Sequence, residues 1–119
     1  MRYVDGFVLP VPKKNLAAYK KMARLGAKVW RDHGALEYVE CVGEDLRVKM
    51  GAGFLEPTKA KAGETVFFSW VTYKSRAHRD RANAKMMKDP RMLEMCDPDD
   101  PPFDMKRFAY GGFEVVVRA

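Results

Sequence analysis

At Thr65-Val66-Phe67-Phe68-Ser69-Trp70-Val71-Thr72-Tyr73 the chain carries its strongest strand signal. β-Branched and aromatic residues dominate this stretch, and such residues favour strands. Apolar side chains fall on both of its faces, so we expect it near the centre of a sheet. Ser75 is well placed as the N-cap of a following helix, which should run to about Lys88.

Working outward from this strand, the chain has the order strand, helix, strand, strand, helix, strand. The other predicted elements are strands at Met1 to Leu9, Leu36 to Val42 and Arg107 to Val117, and a helix at about Lys13 to His33. This order predicts a single α+β domain over residues 1–119, with a ferredoxin-like antiparallel βαββαβ sheet and both helices on one face.

Prolines, glycines and one asparagine mark the expected ends of elements. Pro10 and Pro12 should stop the first strand and prepare the start of the first helix. Asn15 is a candidate N-cap of that helix, and Gly34 is a natural stop after it. The pair Gly111-Gly112 inside the last strand predicts a bulge or a close approach by backbone or ligand.

Two segments lack clear periodicity. Residues 43–63 carry glycines and lysines, and we expect them to be the most mobile part of the chain, as a functional lid or as a mobile excursion. Residues 91–104 are rich in proline and aspartate. They indicate an extended acidic connection, with a turn of helix at Arg91 to Met95.

Apolar residues on both faces of the first, third and last strands leave one face of the sheet without a cover. In a ferredoxin-like sheet the helices cover only the other face, and an apolar patch of this kind is uncommon on a monomer. We therefore expect a homodimer in which two sheets pack face to face, as a dimeric α+β barrel. The alternative is that residues 43–63 or the acidic connection cover the face.

Composition narrows the class of protein. The formal charge is +6, but the basic residues are spread along the chain, so a solvated surface is expected and nucleic acid is not the expected partner. No apolar run approaches the roughly 20 residues that cross a bilayer, and the first ten residues lack the apolar core of a secretion signal. Cys41 and Cys96 are far apart, which fits a reduced, cytoplasmic protein.

His78 is the first candidate site residue. Counted from Ser75 as N-cap, it lies in the first turn of the second helix, on the side that should face the sheet. Near pH 7 an imidazole can act as a general base or bind a ligand by a hydrogen bond. If a pocket is present, His78 should line it together with Trp70 or Asp5. The alternative is a histidine whose hydrogen bonds are structural.

Carboxylates within strands are the second group of candidates. Asp5, Glu40 and Glu114 fall within predicted strands, where a buried carboxylate is costly unless it is paired. Two of them facing one cavity could act as an acid–base pair. Pairing with arginine, lysine or backbone groups at a sheet edge is the alternative.

Aromatic residues are the third group. Five of them could line an aromatic ligand cavity or simply form core: Trp30, Tyr38, Trp70, Tyr73 and Tyr110. Residues 110–115 also resemble, faintly, the aromatic RNA-stacking motif of RNA-recognition domains, but they lie on the fourth strand and that motif belongs on the third. We take His78, Trp70, Asp5 and Tyr110 as the candidate binding residues.

Motifs for nucleotide, nucleophile or zinc-protease sites are absent from the sequence. Two histidines and two separated cysteines give no metal-ligand spacing, so no metal site is expected. No cofactor is implied.

Four segments together resemble the YbaA-like family of small bacterial proteins of unknown function. They are YVDGFVLPVP at 3–12, HGALEYVEC at 33–41, SWVTYKSRAHRD at 69–80 and YGGFE at 110–114. The resemblance runs the length of the chain. It implies the dimeric α+β barrel fold, shared with small antibiotic-biosynthesis monooxygenase-like proteins, and it implies no activity. Residues 46–54 match the family pattern least well.

Three functions from different classes follow as hypotheses. The first is a homodimer that binds a small molecule in a pocket between sheet and helices. The second is a cofactor-independent monooxygenase or isomerase-like enzyme, for which the fold is only an analogy. The third is RNA binding through the basic surface, which would weaken with salt. A structural protein with a filled interface remains a further alternative, and the sequence leaves open whether the protein is an enzyme.

Overall fold

A computed structural model describes residues 2–95 and 97–119, and it confirms the predicted order of elements. Met1, within the first predicted strand, and Cys96 lie outside the described residues. The helices and strands are β1 (Tyr3–Pro12), α1 (Leu16–Asp32), β2 (Glu37–Val42), β3 (Glu64–Tyr73), α2 (Arg76–Met86) and β4 (Ala109–Glu114). Short 3₁₀ turns lie at Lys13–Asn15, Pro90–Glu94 and Met105–Arg107.

The four strands form one sheet in the order β2-β3-β1-β4, and every neighbouring pair is antiparallel. The strand with the strongest sequence signal, β3, lies inside the sheet, as predicted. Both helices pack on one face: Tyr19 of α1 contacts Leu9, and Ala82 of α2 lies with Val71 and Tyr73. The ferredoxin-like α+β fold is therefore confirmed.

The first strand continues past the point where the prolines were expected to stop it. Pro10 pairs with Val66 and Pro12 with Glu64, so β1 runs to Pro12. On its other side β1 is paired with β4 only from Tyr3 to Val8. Beyond Val8 one edge of β1 has no partner strand, and a proline that cannot donate a hydrogen bond is tolerated there.

The helix ends follow local chemistry. Ser75 caps α2, because its Oγ accepts a hydrogen bond of 3.1 Å from the backbone N–H of His78. Asn15 precedes α1 but does not cap it through its side chain; its Nδ2 donates instead to the carbonyl of Pro102 at 3.2 Å. Gly34 follows α1 with φ of +108°, a conformation that side chains other than glycine rarely adopt.

Residues 43–63 contain no helix or strand, as predicted, and their mobility stays a prediction. They cover one end of the sheet face that the helices leave open, because Phe54 packs edge-on against Phe68 with ring centroids 5.9 Å apart. Phe68 is still 46% exposed, so the cover is partial.

The acidic connection is not simply extended. Residues 90–95 and 97–108, which we call the cover segment, contain two 3₁₀ turns and pack on the helix side of the sheet, where Phe103 and Phe108 join the core around Leu9 and Tyr19. The turn predicted at Arg91 to Met95 is present as the 3₁₀ turn Pro90–Glu94.

The glycine pair Gly111-Gly112 of β4 forms no bulge, since both residues keep the β1 register. A side chain approaches Gly112 closely, where backbone or a ligand was the other expectation, because a Cβ there would lie 2.7 and 2.8 Å from ring carbons of Tyr3.

Candidate functional site

A cavity of about 240 Å³ lies between the sheet, α1 and the cover segment, and we call it the inner chamber. Its walls are mostly apolar or aromatic. Ser69 is a small polar residue of the wall, and Glu40 is its charged residue. The residues that line it are Phe7, Leu9, Tyr19, Met22, Trp30, Tyr38, Glu40, Ser69, Met92, Met95, Phe103, Met105 and Phe108.

The floor of the inner chamber is a row of three residues across three strands. Ser69 of β3 pairs with Phe7 of β1 on one side and with Glu40 of β2 on the other. Its neighbours on the same face of β3, Phe67 and Val71, are large and buried. A serine between two large core residues leaves space above it, so the chamber exists because position 69 is small.

The roof is made of flexible side chains. The cover segment contributes Met92, Met95 and Met105, and methionine adapts its shape to irregular gaps. Gly26 of α1 adds to the space, because a Cβ there would lie 2.9 Å from the Met95 Cε atom.

Two arginines hold the ends of the cover segment. Arg107 binds Glu64 with both terminal nitrogens, at 2.6 and 2.7 Å. This pairing lowers the pKa of the Glu64 carboxyl to about 2. At the other end Arg91 donates to Asp32 at 2.7 Å and to Asp89 at 2.7 Å. The hydrogen bonds from Arg91 hold the pKa of Asp89 well below its usual range.

Glu40 is the charged group of the inner chamber, and two tyrosines bind it. The hydroxyl of Tyr19 donates to one carboxylate oxygen at 2.9 Å, and the hydroxyl of Tyr38 donates to the other at 2.6 Å. Burial raises the pKa of both phenols, and the neighbouring Glu40 charge raises it further. The two hydroxyls therefore stay protonated and remain donors.

A second polar cluster supports the wall behind Trp30. The indole N–H donates to the Tyr73 hydroxyl at 3.0 Å, and that hydroxyl donates to the side-chain oxygen of Asn83 at 3.3 Å. Burial raises the pKa of Tyr73 to about 12. These bonds fix the orientation of the Trp30 ring, which lines the inner chamber.

Asp5 is buried and forms an ion pair with Arg79 at 2.7 Å. Burial raises the pKa of the Asp5 carboxyl, and the Arg79 guanidinium only partly opposes that rise. Arg79 also lies 4.9 Å over the ring of Tyr3. Asp5 thus has a structural partner, and it is not among the residues that line the inner chamber.

His78 lies in the first turn of α2, as the N-cap position predicted. Its Nδ1 accepts a hydrogen bond of 3.0 Å from the backbone N–H of Lys74, and its Nε2 lies beside Gly34. Its ring stands edge-on to Tyr73 at 5.8 Å. Burial and the nearby cations lower the pKa of His78. Both ring nitrogens thus serve contacts within the fold, and His78 lines none of the cavities described here.

Trp70 and Tyr110 line a different cavity. It is a groove of about 540 Å³ on the sheet face without helices, and we call it the outer groove. The other residues that line it are Val4, Gly6, Phe7, Val8, Phe68, Ala109, Gly111 and Phe113. The Trp70 indole donates to Glu37 at 3.1 Å.

The four candidate residues therefore do not form one site. Gly6 pairs with Trp70 and Asp5 with Val71, so successive residues place Trp70 and Asp5 on opposite faces of the sheet. His78 lies edge-on to Tyr73, whose side chain is on the same face of the sheet as Val71 and not on the face that carries Trp70. Nor do the strand carboxylates share a cavity, since Glu40 lines the inner chamber, Asp5 pairs with Arg79 and Glu114 is exposed.

Sequence reasoning named Glu40, Trp30 and Tyr38 for this region but missed Tyr19, Ser69 and the methionines. The signal that could have found Ser69 was a lone small polar residue within the most apolar strand. For the cover segment the signal was the number of methionines in a stretch otherwise rich in proline and aspartate.

Two kinds of feature are absent from the described residues. Residues 2–95 and 97–119 contain no group of three or more histidine, cysteine, aspartate or glutamate side chains placed to hold a metal ion. In the same described residues no helix has both the length and the apolar character needed to cross a membrane.

Comparisons with known proteins bear on both family and fold. The family described as "Protein of unknown function (DUF1428)" matches residues 2–105. The uncharacterized protein YbaA of Escherichia coli K12 is 45% identical over 117 residues, which are 98% of each chain, and YbaA of Shigella flexneri matches equally. The resemblance to YbaA-like proteins is thereby confirmed.

A solved structure supports the fold. It is a dimeric ferredoxin-like protein from an uncultured marine organism, with a TM-score of 0.56, 14% identity and full coverage of both chains. At 14% identity this similarity supports the fold and carries no information on function.

Proposed function

This chain belongs to the DUF1428 family of unknown function, and from its own geometry we propose that it binds a small molecule in the inner chamber. One observation carries the proposal. The row Phe7–Ser69–Glu40, buried at Ser69, leaves a 240 Å³ cavity beside the core that places one carboxylate among apolar walls. The setting that we propose is the reducing cytoplasm, where Cys41 stays a free thiol.

An apolar recess of this size beside the core is unusual without a ligand. Protein interiors pack as densely as organic crystals, and voids much larger than one water molecule are few. Water is a poor occupant here because most of the wall cannot hydrogen-bond, and a buried water needs 2–4 polar partners. An apolar molecule with one polar group matches the wall better.

The volume also limits the ligand. Pockets for drug-sized molecules measure roughly 300–1,000 Å³. The inner chamber is smaller than that range, so its ligand is a compact molecule, such as one substituted aromatic ring. The methionines of the cover segment allow the walls to adapt to its shape.

A cavity-filling variant tests the proposal. Ser69→Leu places a large side chain at the centre of the floor, and binding of ethylbenzene, measured by calorimetry, should be lost. Thr72→Val lies on the same strand but on the opposite face, and it should bind as the wild type does. Failure of ethylbenzene and related small aromatic compounds to bind the wild type would overturn the proposal.

We also propose that the protein is a homodimer formed through the outer groove. The groove is apolar, and Phe68 and Phe113, which line it, are 46% and 62% exposed. The marine ferredoxin-like protein with the same fold is described as dimeric. A second copy of this sheet would cover these side chains, which residues 43–63 cover only at Phe68.

A further inference from the structure

The inner chamber carries a negative charge without a basic partner, and this inference rests on the proposed function. We propose that the ligand of the inner chamber is an organic amine. Its protonated nitrogen binds the Glu40 carboxylate, and its apolar body lies under the methionines of the cover segment.

Glu40 is half-buried, and it differs from the three carboxylates whose side chains are at least nine-tenths buried. Asp5 has Arg79, Glu64 has Arg107 and Asp89 has Arg91 as ionic partners. Glu40 has no such partner among the described residues. No side-chain nitrogen of a lysine, arginine or histidine lies within 4.0 Å of its carboxylate oxygens.

The two phenols bind Glu40 but do not neutralise it. A neutral hydroxyl offsets part of the cost of removing a charge from water, and a counter-charge offsets more. A carboxylate offers about four lone-pair sites, and Tyr19 and Tyr38 use two of them. The remaining sites can accept hydrogen bonds from an ammonium group.

Aromatic faces next to the carboxylate suit the same kind of ligand. Trp30 and Tyr38 lie with ring centroids 5.5 Å apart, tilted by 48°, and both line the inner chamber. A cation over the face of tryptophan or tyrosine is attracted by the ring, more strongly where water is excluded. A carboxylate flanked by aromatic faces therefore selects a positive charge.

Two cations near Glu40 favour the opposite possibility, an anionic ligand. Glu40 and Tyr38 also line a cleft of about 320 Å³ between α1 and β2, together with Lys20 and Arg24. Both cations are exposed. If they fold over Glu40 in solution, they would neutralise it or attract a carboxylate ligand instead.

Three compounds of similar shape and different charge separate these cases. They are 2-phenylethylamine, which like a lysine side chain is protonated at pH 7, neutral ethylbenzene, and anionic 3-phenylpropionate. Calorimetry on the wild type should show the amine bound about tenfold or more tighter than the anion, as expected for a hydrogen bond to a charged group. Equal or tighter binding of the anion would overturn the inference.

A charge-neutral variant then assigns the preference to Glu40. Glu40→Gln should remove the preference for the amine over ethylbenzene, whereas Glu44→Gln, at an exposed loop carboxylate, should keep that preference. A preference that survives in Glu40→Gln contradicts the inference. Suppose that ethylbenzene binds, that Ser69→Leu blocks its binding, and that the amine binds no tighter than ethylbenzene. The chamber is then a binding site, but an amine is the wrong class of ligand. If none of the three compounds binds, both proposals fail.

Discussion

The small side chain of Ser69 determines whether the space above the sheet is filled or left as a cavity. It is only 3% exposed, and it lies between Phe7 and Glu40 in a row across three strands. A leucine or valine there would complete an ordinary core. With serine, the core keeps a cavity whose floor ends at a carboxylate.

Gly112 is a second position where the size of the side chain matters, here for the stability of the fold. Gly112→Ala should destabilise the fold by roughly 1–3 kcal/mol, because the new methyl group would collide with the Tyr3 ring, which packs under Arg79. Gly111→Ala is the matched control. Its Cβ would be 3.7 Å from the nearest side-chain atom, and alanine should add roughly 0.5–1 kcal/mol in a strand. Urea unfolding measures both, and equal effects would contradict the assignment.

Glu64 should make stability depend on pH. Its folded-state pKa is about 2, below the ordinary value of 4.5. Between these values the unfolded chain binds a proton that the folded chain does not, so the contribution of Glu64 is full above about pH 5 and is lost as the pH falls towards 2. Glu64→Gln should flatten the fall of the urea midpoint from pH 5 to 2.5, and it should cost roughly 1–3 kcal/mol at pH 7.

Glu56→Gln is the control for that series, since this carboxylate is exposed. Its pH profile should match the wild type. The interpretation would be wrong if Glu64→Gln kept the full acid dependence.

At the scale of elements, the cover segment changes the most between expectation and structure. Its sequence is rich in proline and aspartate and predicts an extended connection. In the structure Arg91 and Arg107 hold its two ends, and between them Phe103 reaches the core. The roof of the inner chamber thus consists of irregular backbone held in place by ion pairs.

Helix α2 depends on its cap. Ser75→Ala should lower the free energy of unfolding by about 1 kcal/mol, because the backbone N–H of His78 loses its acceptor. Ser75→Asp keeps an acceptor at the N-terminus and should retain most of the stability. Thermal and urea unfolding of the two variants would show the difference, and an alanine variant as stable as the aspartate variant would contradict the capping role.

At the scale of the whole molecule, the two faces of the sheet have different roles. Both helices and the cover segment pack on one face, and the inner chamber lies there between the sheet, α1 and the cover segment. The other face presents the outer groove, with Val4, Val8 and Trp70 beside the exposed phenylalanines. This division places the proposed ligand and the proposed second copy on opposite sides of one sheet.

The dimer prediction follows from that division. Light scattering at micromolar concentration should give twice the 13.6 kDa mass of one chain. Phe68→Glu should shift the protein to monomer, because two buried carboxylates would face each other across the interface. Met87→Glu, at an equally apolar but distant exposed position, should remain dimeric. A wild type with the mass of one chain would rule the dimer out.

Much of the fold could be predicted from sequence because its signals are local. The apolar run of β3, the helical spacing of apolar residues in α1 and the cap at Ser75 each act within a few residues. Together they determine the order of elements, and that order leaves few topologies. The same local rules misplaced the end of β1, since tolerance of Pro10 and Pro12 depends on where β4 stops pairing.

The candidate site depended on tertiary structure. From sequence alone, His78 was the first candidate, Trp70, Asp5 and Tyr110 stood beside it, and Glu40 was one carboxylate among three. Strand register decided between them, because a shift of one residue moves a side chain to the other face. By itself the sequence determined the architecture and the family. Only the packing of β1, β2 and β3 under α1 brought Phe7, Ser69 and Glu40 together, since such contacts join residues that are distant along the chain.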